Sequence, residues 1–128
     1  MIFLSILISV CVPVIVAFCG QYLKKCSSRE INDLTGYRSS RSRASREAWQ
    51  FANDYCGRLW IRWSLISIIP SAAIAVIFCI AVSGNAGIWA ATVIELIQVM
   101  LILVSIAVVE GKLKQGFDEN GKPKAKEE

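Results

Sequence analysis

Three long apolar runs dominate the chain, at about Ile2 to Leu23, Leu59 to Val82 and Ile88 to Val109. Each comes close to the roughly 20 residues that a helix needs to cross about 30 Å of hydrocarbon. A soluble bundle helix would carry a wide polar face. The stretches IFLSILISVCVPVIVAF and IQVMLILVSIAVV offer only scattered serines and a glutamine. The pattern therefore predicts transmembrane helices over about residues 2–23, 59–82 and 88–109.

The polar pattern between the first two runs is of another kind. Residues 24–58 hold a turn-forming pair, Asn32-Asp33, and a glycine at 36, followed by SREAWQFANDYCGRLW, which reads as a helix. Ser45 suits the N-cap, and Glu47 in the first turn complements the positive helix end. Trp49, Asn53, Cys56 and Trp60 fall on one face. An amphipathic segment at the interface is expected here, with Trp49, Phe51, Tyr55 and Trp60 at headgroup depth before the chain enters the second span.

Composition agrees with the membrane reading: 55% of the 128 residues are hydrophobic. The charge distribution sets an expected orientation. Lys24, Lys25, Arg29, Arg38, Arg41, Arg43, Arg46, Arg58 and Arg62 lie between or just inside the first two spans. Ser83, Gly84, Asn85, Ala86 and Gly87 form an uncharged turn between the second and third. The first loop is thus expected in the cytoplasm, the amino terminus outside and the tail inside, where Lys112, Lys114, Lys122, Lys124 and Lys126 agree with that side. Topology accounts for most of the net charge of +4, so direct nucleic-acid binding is not expected. The tail GKLKQGFDENGKPKAKEE mixes both signs with glycine and proline, and it is expected to be a disordered cytoplasmic segment over 111–128. A cleaved signal peptide is not expected, because no basic residue precedes Lys24 and no Ala-x-Ala site closes the first run.

The architecture that follows is an all-α membrane protein. Residues 1–110 form one three-span domain, with a cytoplasmic or interfacial amphipathic helix between the first two spans. Pro13 and Pro70 fall near the middles of their spans, where each removes a backbone hydrogen bond, so kinks are expected. Ser5, Ser9, Pro13 and Ala17, and likewise Ser67, Ser71 and Ala75, recur every four residues as stripes along which helices can approach closely in lipid.

The chemistry-bearing residues are few. The five cysteines form no Cys-x-x-Cys pair and there is no histidine, so neither a metal site, a cofactor nor a disulfide is expected. Cys26 and Cys56 would lie near the cytoplasmic surface, where acylation is conceivable. An enzymatic role is not expected, since any general base or nucleophile would be an arbitrary choice. Glu95 is the one acid well inside an apolar run and should face inward, protonated or paired. Thr92, Glu95, Gln98 and Ser105 share an edge of the third helix. Interhelical hydrogen bonding is the simpler role for that edge; a proton-coupled carboxylate in a small oligomeric transporter or efflux subunit is the alternative.

Gly36-Tyr37-Arg38, then Ser42, Ser45, Trp49 and Ala52-Asn53, followed by Gly57 and a hydrophobic span, resemble the signature of the SdpI family of small bacterial membrane proteins. Ser39 stands where that signature carries threonine, which keeps the hydroxyl. The resemblance is to the carboxy-terminal three-helix region of a longer protein. It implies a multi-pass protein of the bacterial plasma membrane that gives immunity to a secreted peptide toxin. It also implies signalling through a transcriptional repressor held at the membrane. Gly36, Tyr37, Arg38, Ser39, Ser42, Ser45, Trp49, Ala52 and Asn53 are the binding or motif residues that it names. Arg38 would grip a carboxylate or headgroup phosphate in a fork, and Trp49 would anchor the helix. The expected partners are thus the bilayer, a peptide toxin and a repressor, with a homo-oligomer as a further possibility.

Overall fold

A computed structural model describes residues 2–82 and 85–125. Ser83 and Gly84 of the expected turn, and Lys126 of the tail, lie outside the described residues. Three α-helices account for most of the chain: α1, Ile2–Ser27; α2, Arg46–Ala81; and α3, Ala86–Gly116. All three are long and apolar enough to cross a membrane. Each expected span coincides with one of them, the second running one residue, Val82, past the end of α2.

The helix expected to precede the second span is not a separate element. Residues 46–81 run as one unbroken helix. Nothing between Arg46 and Leu59 breaks helical geometry, and Gly57 only lowers propensity by about 1 kcal/mol relative to alanine. The backbone stays helical through Pro13 in α1 and Pro70 in α2 as well.

The residues fall into two compact units. The first comprises Met1–Phe18 and Trp60–Leu103. Its burial is inverted relative to a soluble domain: Ser5 and Ser9 are fully buried, as are Ala75 and Ala91, while Phe3 is 78% exposed, Ile69 76% and Ile80 73%. Small and hydroxylated residues face the neighbouring helices and large aliphatic ones face outward. A hydrocarbon solvent selects that arrangement, because packing and interhelical polar contacts, not the hydrophobic effect, hold such helices together. Of the two small-residue stripes, Ser5, Ser9, Pro13, Ser71 and Ala75 are buried, whereas Ala17 and Ser67 are half-buried. Gly87 of α3 lets Cys79 of α2 come so near that an added Cβ would sit 1.9 Å from its sulfur. Cys79 Sγ in turn donates to Ser5 Oγ at 3.2 Å.

The second unit comprises Cys19–Leu59 and Val104–Glu128. It has a core of conventional kind, with Trp49, Leu113, Val109, Cys26 and Cys56 fully buried. Gly57 meets α1 so closely that a Cβ there would lie 2.6 Å from the carbonyl oxygen of Gly20. The described part of the tail is ordered, in contrast to the disorder its composition predicts. α3 continues to Gly116, and beyond it Phe117 bridges to Pro123 around a turn. Asp118 Oδ1 accepts from the backbone N–H groups of Asn120 and Lys122, and Gly121 takes a φ of 74°. Phe117 supplies the apolar anchor that offsets the ordering entropy: it is 9% exposed, with its ring 5.6 Å from that of Phe51.

Candidate functional site

The loop between α1 and α2 is built on local hydrogen bonds and then locked by long-range ones. Asn32 Oδ1 accepts from the backbone N–H groups of Leu34 and Thr35, an Asx turn that reverses the chain. Ser42 ties the next segment together: its hydroxyl donates at 2.9 Å toward the carbonyls of Tyr37 and Ser39, and its N–H donates to Ser39 Oγ. Ser45 caps α2, its Oγ accepting from the N–H of Ala48 at 3.0 Å as the sequence predicts. The same hydroxyl donates to the carbonyl of Gly121 at 2.6 Å, so one serine caps a helix and fastens the tail.

Asn53 is the centre of the lock. Its Oδ1 accepts from the backbone N–H of Tyr37 at 2.7 Å and its Nδ2 donates to the carbonyl of Trp49 at 3.0 Å. Both functions of a neutral amide are used, which neither aspartate nor leucine can reproduce. Gly36 is required beside it. Its φ is 98°, where a side chain would be strained, and a Cβ there would sit 2.6 Å from Asn53 Oδ1 and 3.1 Å from the Trp49 ring.

Trp49 is fully buried, a correction to the interfacial anchor expected from its sequence context. The indole N–H donates to the carbonyl of Cys26 at 3.0 Å, near the carboxy-terminal end of α1. That carbonyl also accepts from the backbone N–H of Arg29 at 3.1 Å in the turn that closes α1, and the indole adds a side-chain cap to it. Ala52 is also fully buried. The buried Cys26 and Cys56 are not presented at a surface for acylation. Phe51 and Tyr55 are half-buried and stack with centroids 5.6 Å apart.

Tyr37 completes the lock by reaching α3. Its phenol donates to Glu110 Oε1 at 2.7 Å, with the carbonyl oxygen of Ile106 a second acceptor at 3.3 Å. Burial first, and then the hydrogen bond and charge of Glu110, push the phenol well above its ordinary pKa. Glu110 is a functional partner that sequence reading missed. It closes the third apolar run just before Gly111, where an acid reads as an ordinary boundary residue.

Arg38 differs from its neighbours in the motif. Its side chain is exposed and Nη1 donates to the carbonyl of Asp33, while Arg43 pairs with the Asp33 carboxylate at 3.2 Å. The motif thus divides. Gly36, Tyr37, Ser39, Ser42, Ser45, Trp49 and Asn53 hold the loop together, Ala52 is buried on α2, and Arg38 is presented on the loop.

Glu95 and Gln98 lie in the first unit. Gln98 is 7% exposed and its Nε2 donates to Ser71 Oγ at 2.7 Å, the interhelical bond expected of that edge. Its Oε1 is buried without a hydrogen-bond partner, and both carboxyl oxygens of Glu95 are buried, with the backbone N–H of Val12 the polar group that acts on them. Among the described residues there is no cluster of histidine, cysteine or acidic side chains that could hold a metal.

The SdpI/YfhL protein family model matches residues 29–109. That range is more than half of the chain and contains every residue of the lock from Gly36 to Asn53. Searches of curated proteins and of solved structures give no match. The chain belongs to the SdpI/YfhL family and is a multi-pass membrane protein.

Proposed function

We propose that, as a member of the SdpI/YfhL family, this protein acts without enzymatic chemistry in a bacterial plasma membrane. It gives immunity to a secreted antimicrobial peptide and relays the peptide's presence to a partner such as a repressor held at the membrane. The amino terminus faces outward and the loop and tail face the cytoplasm, in keeping with the distribution of lysine and arginine. The observation that carries the reading is the placing of Arg38: an exposed guanidinium on a loop whose backbone is held by Asn53, Ser42 and Trp49. A charged group on a preorganised platform loses little entropy when it engages a carboxylate or phosphate, and the planar fork adds geometric selectivity. The test is survival of a sensitive bacterium that expresses each variant and is challenged with the peptide, with membrane levels measured in parallel. Arg38→Lys loses protection while Arg43→Lys keeps it. Equal protection by the two would reduce the motif to a structural clasp with a topological charge.

A second reading is a small transporter or efflux subunit, working as a homo-oligomer around Glu95. It is favoured by the burial of the Glu95 carboxyl beside the unpartnered Gln98 Oε1. Glu95→Gln separates the two. An immunity protein tolerates it, whereas a transporter that works through a titrating carboxylate loses activity at unchanged protein level.

A further inference from the structure

The loop between α1 and α2 leaves its aliphatic side chains uncovered at the turn. Leu34 is 87% exposed and Ile31 39%, on either side of Asn32 and its Asx turn. On a water-facing loop a single bare leucine would need no explanation. The depth of this loop gives it one. Gly36 lies against Trp49 and Asn53, where an added Cβ would come within 3.1 and 2.6 Å of them, and the Trp49 indole bonds the Cys26 carbonyl. Cys26 is three residues past Leu23 and Asn53 six residues before Leu59, the ends of two apolar runs, or about 4.5 and 9 Å along a helix at 1.5 Å per residue. From there the Tyr37 phenol reaches Glu110 and the Ile106 carbonyl, at the end of the third run. A polar headgroup layer is about 5–8 Å deep on each side of a bilayer, so the loop turns within it. We propose that its tip is buried in the phospholipid leaflet around the protein's own spans, with Leu34 against acyl chains.

Three features fit the tip for that surrounding. Its backbone amides are already satisfied, which lowers the cost of leaving water: Asn32 Oδ1 accepts from the N–H groups of Leu34 and Thr35, and from the Thr35 hydroxyl at 3.2 Å. Asp33, the acid beside Leu34, is compensated. Arg43 pairs with its carboxylate at 3.2 Å and Arg38 donates to its carbonyl. The third feature is Arg29, whose guanidinium lies 5.8 Å from the centroid of the Tyr22 ring, and Tyr22 is 43% exposed one residue before the first run ends. A tyrosine ring favours the boundary of the hydrocarbon, and a cation over it stands at the height of lipid phosphates. From Lys24 to Arg43 six basic residues stand against two acidic ones, Glu30 and Asp33, so the whole segment is drawn to a phosphate layer. The inference rests on the membrane spans and on neither functional reading above, and a Leu34 found in water would leave toxin protection untouched.

The experiment uses the full chain with photo-leucine, the diazirine analogue, in place of leucine, in vesicles of dioleoylphosphatidylglycerol and dioleoylphosphatidylcholine. Irradiation inserts each carbene into whatever touches it. Trypsin then cuts after Arg29 and Arg38, and the peptide Glu30–Arg38 contains Leu34 as its one leucine, so its mass reports that side chain without a mutation. The peptide Trp63–Lys112, which holds the exposed Leu65, Leu96 and Leu103, is the reference for contact with acyl chains. Glu30–Arg38 is expected to carry phospholipid in excess of water, as the reference does. Alkaline hydrolysis of the esters should leave a fatty acid on the peptide, which places the contact at the acyl chains. Water addition at Leu34 beside a lipid-bearing reference would overturn the proposal, since the tip would then stand in solution. A deacylated headgroup left after hydrolysis would overturn it too, because the contact would be above the acyl chains. So would a cross-link to another peptide, which would make the tip a contact with protein.

Discussion

The backbone N–H of Tyr37 donates to the side-chain oxygen of Asn53 across 16 positions of sequence, at 2.7 Å. This one bond fastens the turn of the loop to the first half of α2, and the steric demand it makes explains the glycine beside it. Gly36→Ala must move Asn53 Oδ1, 2.6 Å from the new methyl, and strain a backbone at φ 98°. Loss of the lock is expected in both Gly36→Ala and Asn53→Leu, at about 1–3 kcal/mol for the orphaned buried groups. Limited proteolysis reads it as faster cleavage between residues 28 and 45. Unchanged cleavage would show that the loop does not depend on this bond.

Trp49 allows its two contributions to be measured apart. Trp49→Phe keeps most of the buried ring and leaves the Cys26 carbonyl without the indole N–H, at a cost of about 1 kcal/mol. Trp49→Ala also opens a cavity in the second unit and costs about 3–5 kcal/mol. Denaturant unfolding in mild detergent gives both values. An interfacial anchor would respond differently, with Trp49→Ala changing membrane affinity and leaving unfolding almost unaffected.

Tyr37 should resist ionisation. Its pKa in the folded protein is raised above the ordinary value of about 10, so the stabilisation it brings is fully present below about pH 10 and is lost only as pH rises through the folded value. In a variant carrying Tyr22→Phe and Tyr55→Phe, Tyr37 is the remaining tyrosine, and no phenolate absorbance is expected to develop by pH 11. Adding Glu110→Gln removes a charge that opposes ionisation and lowers the midpoint. A Tyr37 that ionises near pH 10 would contradict the buried pairing with Glu110.

The contact between Gly87 and Cys79 gives a paired test in the first unit. Gly87→Ala brings a methyl to 1.9 Å from Cys79 Sγ and should loosen the packing of α2 against α3. Cys79→Ala in the same chain removes that sulfur and restores part of the loss, because Cys79 Cβ at 3.2 Å and Ser5 Oγ at 3.0 Å still crowd the site. Thermal unfolding of the two single variants and the double variant measures the coupling. Strict additivity would mean that the two residues do not meet.

The three spans, the cap at Ser45 and the family motif are legible in the sequence because each is a local signal. A run of apolar residues, a serine three positions before the amide it caps, and a spaced set of small and aromatic residues all survive without knowledge of neighbours. What local patterns do not carry is the identity of the group across the fold. Trp49 reads as an interfacial aromatic because tryptophan favours both membrane boundaries and protein interiors, and only the approach of Cys26 decides for the interior. Phe117 is a single apolar residue in a polar tail, too little to predict order, yet contact with Phe51 and the bond from Ser45 to Gly121 hold that tail in place. Glu110 gains its meaning from Tyr37, 73 positions away. Sequence alone determines which segments seek hydrocarbon and which backbone turns are accessible. Tertiary structure determines which side chains are enclosed and what each one bonds, since burial and pairing are properties of the partners that arrive and not of the residue that receives them.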